Sequence, residues 1–238
     1  MTTTSTSSLT LQDRLLAVRE RIESAERASG RPSGSVTLVG VSKTVTRAEV
    51  NEAYAAGMRH FGENRVQNAL DTFAGDLPDD LVLHLIGTLQ TNKARFVPGH
   101  FGVVHSLDRI ALATELDRRC GMAGVTLPAL IQVNIAREEQ KHGCLVEDLP
   151  ELIEATLGCP SLTLRGFMTM APLGTAAEDA RPVFAAMREL AEAMRSRYPQ
   201  ATLNDLSMGM TNDYVAAIEE GATIVRVGRA IFAEAVAG

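Results

Sequence analysis

Apolar positions along the chain follow two alternating patterns, and each pattern predicts a different kind of element. Short runs rich in β-branched residues are typical of buried strands, and they occur at 36–42, 59–61, 82–86, 102–106, 128–134, 162–168, 203–206 and 223–227. Stretches with apolar residues on one helical face lie between them, at 46–57, 63–73, 90–96, 108–120, 147–157, 176–197 and 211–220. A last helix is expected after Gly228, and 59–61 is the shortest strand candidate.

Strands that alternate with helices predict an α/β fold with a parallel sheet. Eight strand candidates in 238 residues favour a single closed (β/α)8 TIM barrel over an open doubly wound sheet. The segment 9–29 has the pattern of an amphipathic helix ending near Gly30, so we expect an extra N-terminal helix before the first strand. Residues 1–8 are polar and of low complexity, and we expect a disordered tail followed by one domain at 9–238.

Several helix ends carry residues typical of caps. Thr46 is followed three residues later by Glu49, which is the pattern of a capping box. Asp108 is expected to cap the fourth predicted helix, and Gly57 and Gly221 are expected to end two others in the left-handed conformation.

Composition excludes several classes of partner. The net charge of −6, and the lack of basic runs with interleaved aromatic residues, argue against nucleic acid and anionic membranes. No apolar stretch is long enough to span a bilayer. Three widely spaced cysteines form neither a zinc pattern nor a disulfide framework, so we expect a reducing, cytoplasmic location.

Lys43 is the first candidate for chemistry. It closes the apolar run of the first predicted strand, and the carboxyl ends of the strands are where the chemistry of α/β barrels sits. Its ammonium group needs water, a carboxylate, a phosphate or a carbonyl, and a partly desolvated lysine amine can form a Schiff base. The alternative is a strand-end lysine that extends to solvent.

The loops after the seventh and eighth strands predict a phosphate site. Barrels often bind phosphate at these two loops, and small residues let the backbone approach the ligand. Ser207 offers a hydroxyl group, Gly209 and Met210 offer backbone N–H groups, and Gly228 and Arg229 offer the same from the next loop. The alternative is two ordinary turns with capping residues.

Arg226, His84 and His105 lie inside strand patterns and are further candidates for chemistry. Arg226 stays charged and needs a partner, which could be a carboxylate such as Glu63 or a ligand in the barrel mouth. His84 and His105 are either general bases or hydrogen-bonded core residues. His142 and Cys144 have no second pair of metal ligands nearby, so no metal site is predicted.

Other motif-based functions are not supported. The segment 40–44 lacks the glycine that immediately precedes the lysine in a nucleotide-binding phosphate loop. The chain has no Gly-x-Ser-x-Gly nucleophile elbow, and no glycine-rich dinucleotide fingerprint follows the first strand.

An ordered series of motifs resembles the pyridoxal 5′-phosphate (PLP) homeostasis protein family, whose barrel is shared with the N-terminal domain of alanine racemase. The motifs are Val41-Ser42-Lys43-Thr44, Phe61-Gly62-Glu63-Asn64 with Gln67, His84-Leu85-Ile86-Gly87 with Leu89-Gln90 and Asn92-Lys93, His105-Ser106 with Asp108, Gln132-Val133-Asn134 with Lys141 and Gly143, Arg165 to Pro172, Leu206-Ser207-Met208-Gly209-Met210 with Asp213, and Val225-Arg226-Val227-Gly228 with Ala230-Ile231-Phe232. The resemblance extends from the first strand to the C-terminus.

The resemblance implies a fold-type III PLP-binding barrel and a role for each matching residue. Lys43 would hold PLP as a Schiff base, Asn64 would lie beside the ring, Arg226 would face the pyridine nitrogen, and Ser207, Gly209 and Gly228 would bind the phosphate. A cation at the pyridine nitrogen disfavours protonation of that nitrogen and weakens the ring as an electron sink. Many relatives have Ser or Thr at position 229, so Arg229 has two open roles here: a charge at the phosphate, or a backbone N–H donor only.

The family implies intracellular PLP homeostasis, by cofactor buffering or delivery to apo-enzymes, without robust catalysis. The alternative is a PLP-dependent amino-acid racemase, which resembles a two-domain dimer whose second domain supplies a catalytic tyrosine. Tyr54, Tyr198 and Tyr214 lie in helical stretches, where packing explains them, and we expect a monomer. A third possibility is a structural barrel without a ligand, which would be colourless.

Overall fold

All eight predicted strands form, and they pair in parallel in chain order until β8 pairs with β1 and closes the barrel. The computed structural model describes residues 9–138, 142–172, 174 and 176–233, so the predicted tail at 1–8 and the motif residue Lys141 lie outside the described residues. The strands are β1 Thr37–Val41, β2 His60–Glu63, β3 Val82–Leu85, β4 Val103–Leu107, β5 Leu127–Gln132, β6 Leu162–Met168, β7 Asp205–Ser207 and β8 Ile224–Val227. The predicted TIM barrel is therefore confirmed, including the short second strand.

Helices surround the barrel as predicted. They are α1 Leu11–Ala28, α2 Arg47–Ala55, α3 Val66–Thr72, α4 Ile110–Ala123, α5 Leu149–Leu157, α6 Ala177–Arg197, α7 Tyr214–Glu219 and α8 Arg229–Phe232. Thr46 and Glu49 form the expected capping box at the start of α2. Gly57 and Gly221 follow α2 and α7 with φ of 88° and 99°, the predicted left-handed conformation.

Two local predictions were wrong. The helix predicted at 90–96 is a 3₁₀ helix, Thr91–Phe96, and Pro98 follows it closely, so an α-helix has no room to extend. Asp108 does not cap α4, because its carboxylate accepts a hydrogen bond from the Arg109 guanidinium and Arg109 itself occupies the N-cap position.

The extra helix α1 packs against α2, α7 and α8 on the outside of the barrel. It buries Leu15 and Val18, among others, on the face that meets these helices. Glu26, also fully buried, accepts hydrogen bonds from the backbone N–H groups of Gly34 and Val36, which join α1 to the beginning of β1. Among the described residues, no helix combines the length and apolar content that a bilayer crossing requires.

The interior of the barrel holds both apolar and polar side chains. A small apolar cluster of Val39, Leu130, Met168 and Ile224 fills part of it. Side chains alternate between the two faces of a strand, and this alternation also turns His84, His105, Ser207 and Arg226 inward, where all four are buried.

Burial keeps the inner histidines neutral. Desolvation lowers the pKa of His84 to about 3 and that of His105 well below its ordinary value. Desolvation also lowers the pKa of the half-buried His60. The pKa values of these histidines are lower in the native state than in the unfolded chain. Below the unfolded pKa, the unfolded chain therefore binds protons that the native state does not, and the free energy of unfolding falls. The native state keeps its full stability only at a pH above the unfolded pKa.

We expect the free energy of unfolding to fall as the pH is lowered from about 6.5 to about 5, because the unfolded chain then binds protons that the native barrel excludes. Each histidine that stays neutral in the native state contributes a slope of up to about 1.4 kcal/mol per pH unit. Urea unfolding across this range measures the total slope. The His84→Gln variant should show a shallower slope, whereas His100→Gln, which alters an exposed histidine, should not change it. Equal slopes in the wild type and in His84→Gln would refute the explanation.

Candidate functional site

Lys43 lies in the turn between β1 and α2. Two contacts hold the residue before it: the Ser42 N–H donates to the Gly62 carbonyl at 3.0 Å, and the Ser42 hydroxyl donates to Glu63 Oε1 at 2.6 Å. The N–H of Val45 closes the turn by donating to the Ser42 carbonyl at 2.9 Å. The side chain of Lys43 is exposed, and it forms no hydrogen bond or ion pair with the described residues.

The loop after β7 is held by its own backbone and by one carboxylate. Gly209 has φ of 91°, and a Cβ there would come within 2.6 Å of Ala217 Cβ and 2.9 Å of Tyr214 Cα, so only glycine fits. The Met210 N–H donates to Asp213 Oδ1 at 2.5 Å. The amide predicted to face a ligand at position 210 is thus already engaged.

Arg226 projects from the inner face of β8 and is only 3% exposed. Its Nη1 donates to Ser207 Oγ at 2.6 Å and its Nη2 donates to the Thr169 carbonyl at 3.0 Å. Burial lowers the pKa of the guanidinium to about 10, and the charge of Asp213 partly opposes that shift.

The suggested pair between Arg226 and Glu63 does not form. Glu63 shares the outward face of β2 with Phe61, which packs on Phe73 of the helix layer, whereas Arg226 points inward. Burial raises the pKa of the Glu63 carboxyl group, and its Oε2 atom has no hydrogen-bond partner among the described residues.

A cavity of about 630 Å³ opens at the carboxyl ends of β1 and β8, beside the loop after β7. It brings together Lys43, Met210, Arg226, Gly228 and Arg229 of the eight predicted site residues. The remaining lining residues are Val41, Thr44, Val45, Glu49, Pro172, Gly174, Thr211, Asn212, Asp213, Phe232 and Ala233. Its volume lies in the usual range for small-molecule sites.

The cavity has an excess of uncompensated positive charge. Lys43, Arg226 and Arg229 line it, and none of these three cations forms an ion pair with a described residue. Both lining carboxylates are committed to local backbone: Glu49 accepts from the Thr46 N–H at 2.8 Å, and Asp213 accepts from the Met210 N–H. The charges therefore favour an anionic ligand.

Backbone donors in the two loops are also available. The N–H groups of Gly209, Gly228 and Arg229 donate to no acceptor within the described part of the chain. Backbone N–H groups without an internal acceptor can bind an anion, because their hydrogen-bonding capacity must otherwise be met by water.

Three predicted site residues do not line this cavity. Ser207 is fully buried, and its hydroxyl contacts both Arg226 and His105, the latter at 2.9 Å. Gly209 lies behind Met210 in the packed loop. Asn64 is exposed and lines a neighbouring cavity of about 440 Å³ together with His142, among other residues.

His84 and His105 occupy hydrogen-bonded core positions, the second of their two predicted alternatives. His84 Nδ1 lies 2.8 Å from His105 Nε2, and neither residue lines the cavity. In the described ranges, no group of three or more histidine, cysteine, aspartate or glutamate side chains could hold a metal ion.

The sequence analysis did not single out His60, whose Nδ1 atom lies 3.0 Å from His84 Nε2. A signal for it exists, since three successive strands each carry a histidine and strand alternation decides which of them point inward. It also missed Glu49 as a cavity residue, because the capping box had already explained it.

Comparison with known proteins identifies close relatives. Residues 14–235 match the family described as "Alanine racemase, N-terminal domain". The pyridoxal phosphate homeostasis protein of Aquifex aeolicus is 43% identical over 222 residues, which cover 93% of this chain and 97% of that protein.

Solved structures extend the comparison. PipY of Synechococcus elongatus, solved with PLP bound, superposes with a TM-score of 0.83 at 39% identity, covering 94% of this chain and 100% of PipY. An alanine racemase of Clostridium difficile superposes with a TM-score of 0.69 at 12% identity, covering 93% of this chain and 55% of the racemase, and so shares the fold alone. The chain therefore belongs to the alanine racemase N-terminal domain family and, within it, to the pyridoxal phosphate homeostasis proteins.

Proposed function

We propose that this protein binds PLP in the cavity beside Lys43 and takes part in intracellular PLP homeostasis. One observation carries the proposal: an unpaired lysine amine shares the cavity with two arginines that form no ion pair with a described residue. PLP has an aldehyde that can react with the amine and a phosphate that can meet the positive charge. The PLP-bound structure of PipY, a relative over nearly its whole length, supports the same ligand.

The residues present fit this cofactor, and we assign them roles. Lys43 holds the aldehyde carbon as a Schiff base through its Nζ atom. The free N–H groups of Gly209, Gly228 and Arg229 provide donors for the phosphate. The buried Ser207 hydroxyl supports the site through its hydrogen bond to Arg226. The Arg229 guanidinium is exposed on the cavity wall, where it adds a charge for the phosphate.

Two further roles concern the ring. Arg226 faces the pyridine nitrogen from the floor of the cavity, where its two hydrogen bonds fix the guanidinium. Asn64 approaches the ring from the neighbouring cavity. Met210 lines the site by its side chain, since its amide is bound to Asp213.

A holding and transfer role fits better than racemisation. Two-base racemisation needs a second proton donor opposite the lysine. Among the described residues no tyrosine lines the cavity: Tyr54 bonds Asp80, Tyr198 bonds Glu154, and Tyr214 is buried. The relatives named as homeostasis proteins, rather than racemases, support the same conclusion.

The proposal extends to location and partners. The three cysteines are free and buried, which suits a reducing cytoplasm. We propose that the protein is a monomer. We also propose that it buffers PLP and passes it to PLP-dependent apo-enzymes, because the exposed amine of Lys43 leaves the attachment point accessible.

Replacing Lys43 by alanine should abolish covalent attachment of PLP, because no other lysine lines the cavity within the described residues. The wild type should show a visible absorption band that borohydride removes, with the added mass mapped to Lys43. Lys93→Ala, a change in the neighbouring cavity, is the matched control and should keep the band. Retention of the band in a folded Lys43→Ala protein would contradict the proposal. Robust amino-acid racemisation that disappears in Lys43→Ala would instead favour the racemase.

Replacing Arg229 by serine should weaken PLP binding about fivefold, which is the scale of one exposed charge contact of about 1 kcal/mol. The loss should be smaller at high salt, because salt screens the contact. Pyridoxal, which lacks the phosphate, should bind both proteins equally, and Arg229→Lys should retain most of the affinity. If pyridoxal weakens in parallel with PLP, Arg229 does not act on the phosphate.

A further inference from the structure

A continuous row of hydrogen-bonding groups crosses the interior of the barrel from its base to the cavity floor. His60 Nδ1 lies 3.0 Å from His84 Nε2, and His84 Nδ1 lies 2.8 Å from His105 Nε2. His105 Nδ1 lies 2.9 Å from Ser207 Oγ, which accepts from Arg226 Nη1 at 2.6 Å. The other end of the row, His60, lines a separate cavity of about 450 Å³ near the start of β1.

Arg226 fixes the direction of every bond in this row. A guanidinium has no acceptor, so Ser207 Oγ accepts from it. The Ser207 hydroxyl has no acceptor other than His105 Nδ1 within the described residues, and a buried O–H left without an acceptor is costly. Ser207 therefore donates to His105 Nδ1.

The same donor–acceptor logic passes along the row. A neutral imidazole has one donor and one acceptor nitrogen. Because His105 Nδ1 accepts, His105 Nε2 carries the proton and donates to His84 Nδ1. His84 Nε2 then donates to His60 Nδ1, so all three rings carry their proton on Nε2. Burial, which lowers the pKa of each ring, keeps all three neutral at pH 7.

A purely structural core would not need this arrangement. The interiors of (β/α)8 barrels are filled mainly by branched apolar residues, and an incompletely satisfied polar row costs more than an apolar core. Here every nitrogen of His84 and His105 has a partner, and the row ends on the one guanidinium that forms the cavity floor.

We propose that His60, His84 and His105 are positioning residues for the ligand cavity. Their hydrogen bonds can run in one direction only, which we call the direction lock, and this holds the Ser207 hydroxyl and the Arg226 guanidinium in one arrangement. The link to the ligand rests on the proposed function, whereas the direction lock is a property of the protein without ligand. The coupling is reciprocal. A change at the Ser207 end alters which nitrogen of His60 carries the proton, three hydrogen bonds away.

Nitrogen-15 NMR of the histidine-labelled protein without PLP tests the lock directly. His60, His84 and His105 should each show a neutral ring with the proton on Nε2. His105→Leu cuts the row, so the remaining His84–His60 pair can adopt either direction and His60 should show both tautomers. His105→Gln should keep the single tautomer, because its amide oxygen can accept from Ser207 while its NH₂ group donates to His84.

The same variants test the effect on the cavity, with PLP as the probe. His105→Leu should weaken PLP binding roughly tenfold, because the Ser207–Arg226 unit loses one hydrogen bond linked to a charged group. His105→Gln, and His100→Gln as an exposed control outside the row, should bind PLP like the wild type. Circular dichroism checks that each variant folds.

The outcomes separate this inference from the proposed function. A proton on Nδ1 of any of the three rings in the wild type would overturn the lock, even if no variant folds. Equal PLP affinity in folded His105→Leu and the wild type would overturn the positioning role. Failure of the wild type to bind PLP would defeat the proposed function, while the tautomer pattern would still decide the lock.

Discussion

Closure of the barrel by the pairing of β8 with β1 is the constraint on which the site depends. The register places Val39 beside Arg226 and Gly40 beside Val227, which brings the first and last strands together. Lys43 leaves β1 at the same rim where the loops after β7 and β8 end, so one cavity collects a lysine, an arginine and free backbone donors. An open sheet would leave β1 and β8 apart, and the cavity would lose one of its walls.

The charge of the cavity follows from how its carboxylates are used. Glu49 and Asp213 each accept a hydrogen bond from a backbone N–H in their own loop or helix start and form no ion pair with the cavity cations, which outnumber them. Arg226 is fixed by a hydroxyl and a carbonyl, which accept hydrogen bonds from its two terminal nitrogens without cancelling its charge. Folding therefore produces an anion site without placing any carboxylate opposite the guanidinium.

The elements and the position of Lys43 at the rim of the barrel could be predicted from sequence because their signals are local: β-branched runs, capping pairs and a lysine at a strand end. The partner of Arg226 could not, because it depends on which face of β8 and β2 each side chain occupies and on how far the strands are staggered. The hydrogen bond from the Met210 amide, which the sequence analysis expected to be free for a ligand, could not be predicted for a similar reason, since only the folded loop brings Asp213 to it. The hydrogen bond between His60 and His84 could not be predicted either, because it depends on how neighbouring strands align in the sheet.

The exposure of Lys43 bears on the speed of cofactor exchange. A ligand bound covalently to an exposed amine is within reach of water and of free amines, which can displace it. Anchoring groups deeper in the cavity slow departure only after that bond has broken. The lifetime of the loaded protein would then follow the concentration of competing amines in the cell, and release would be governed by chemistry at one atom.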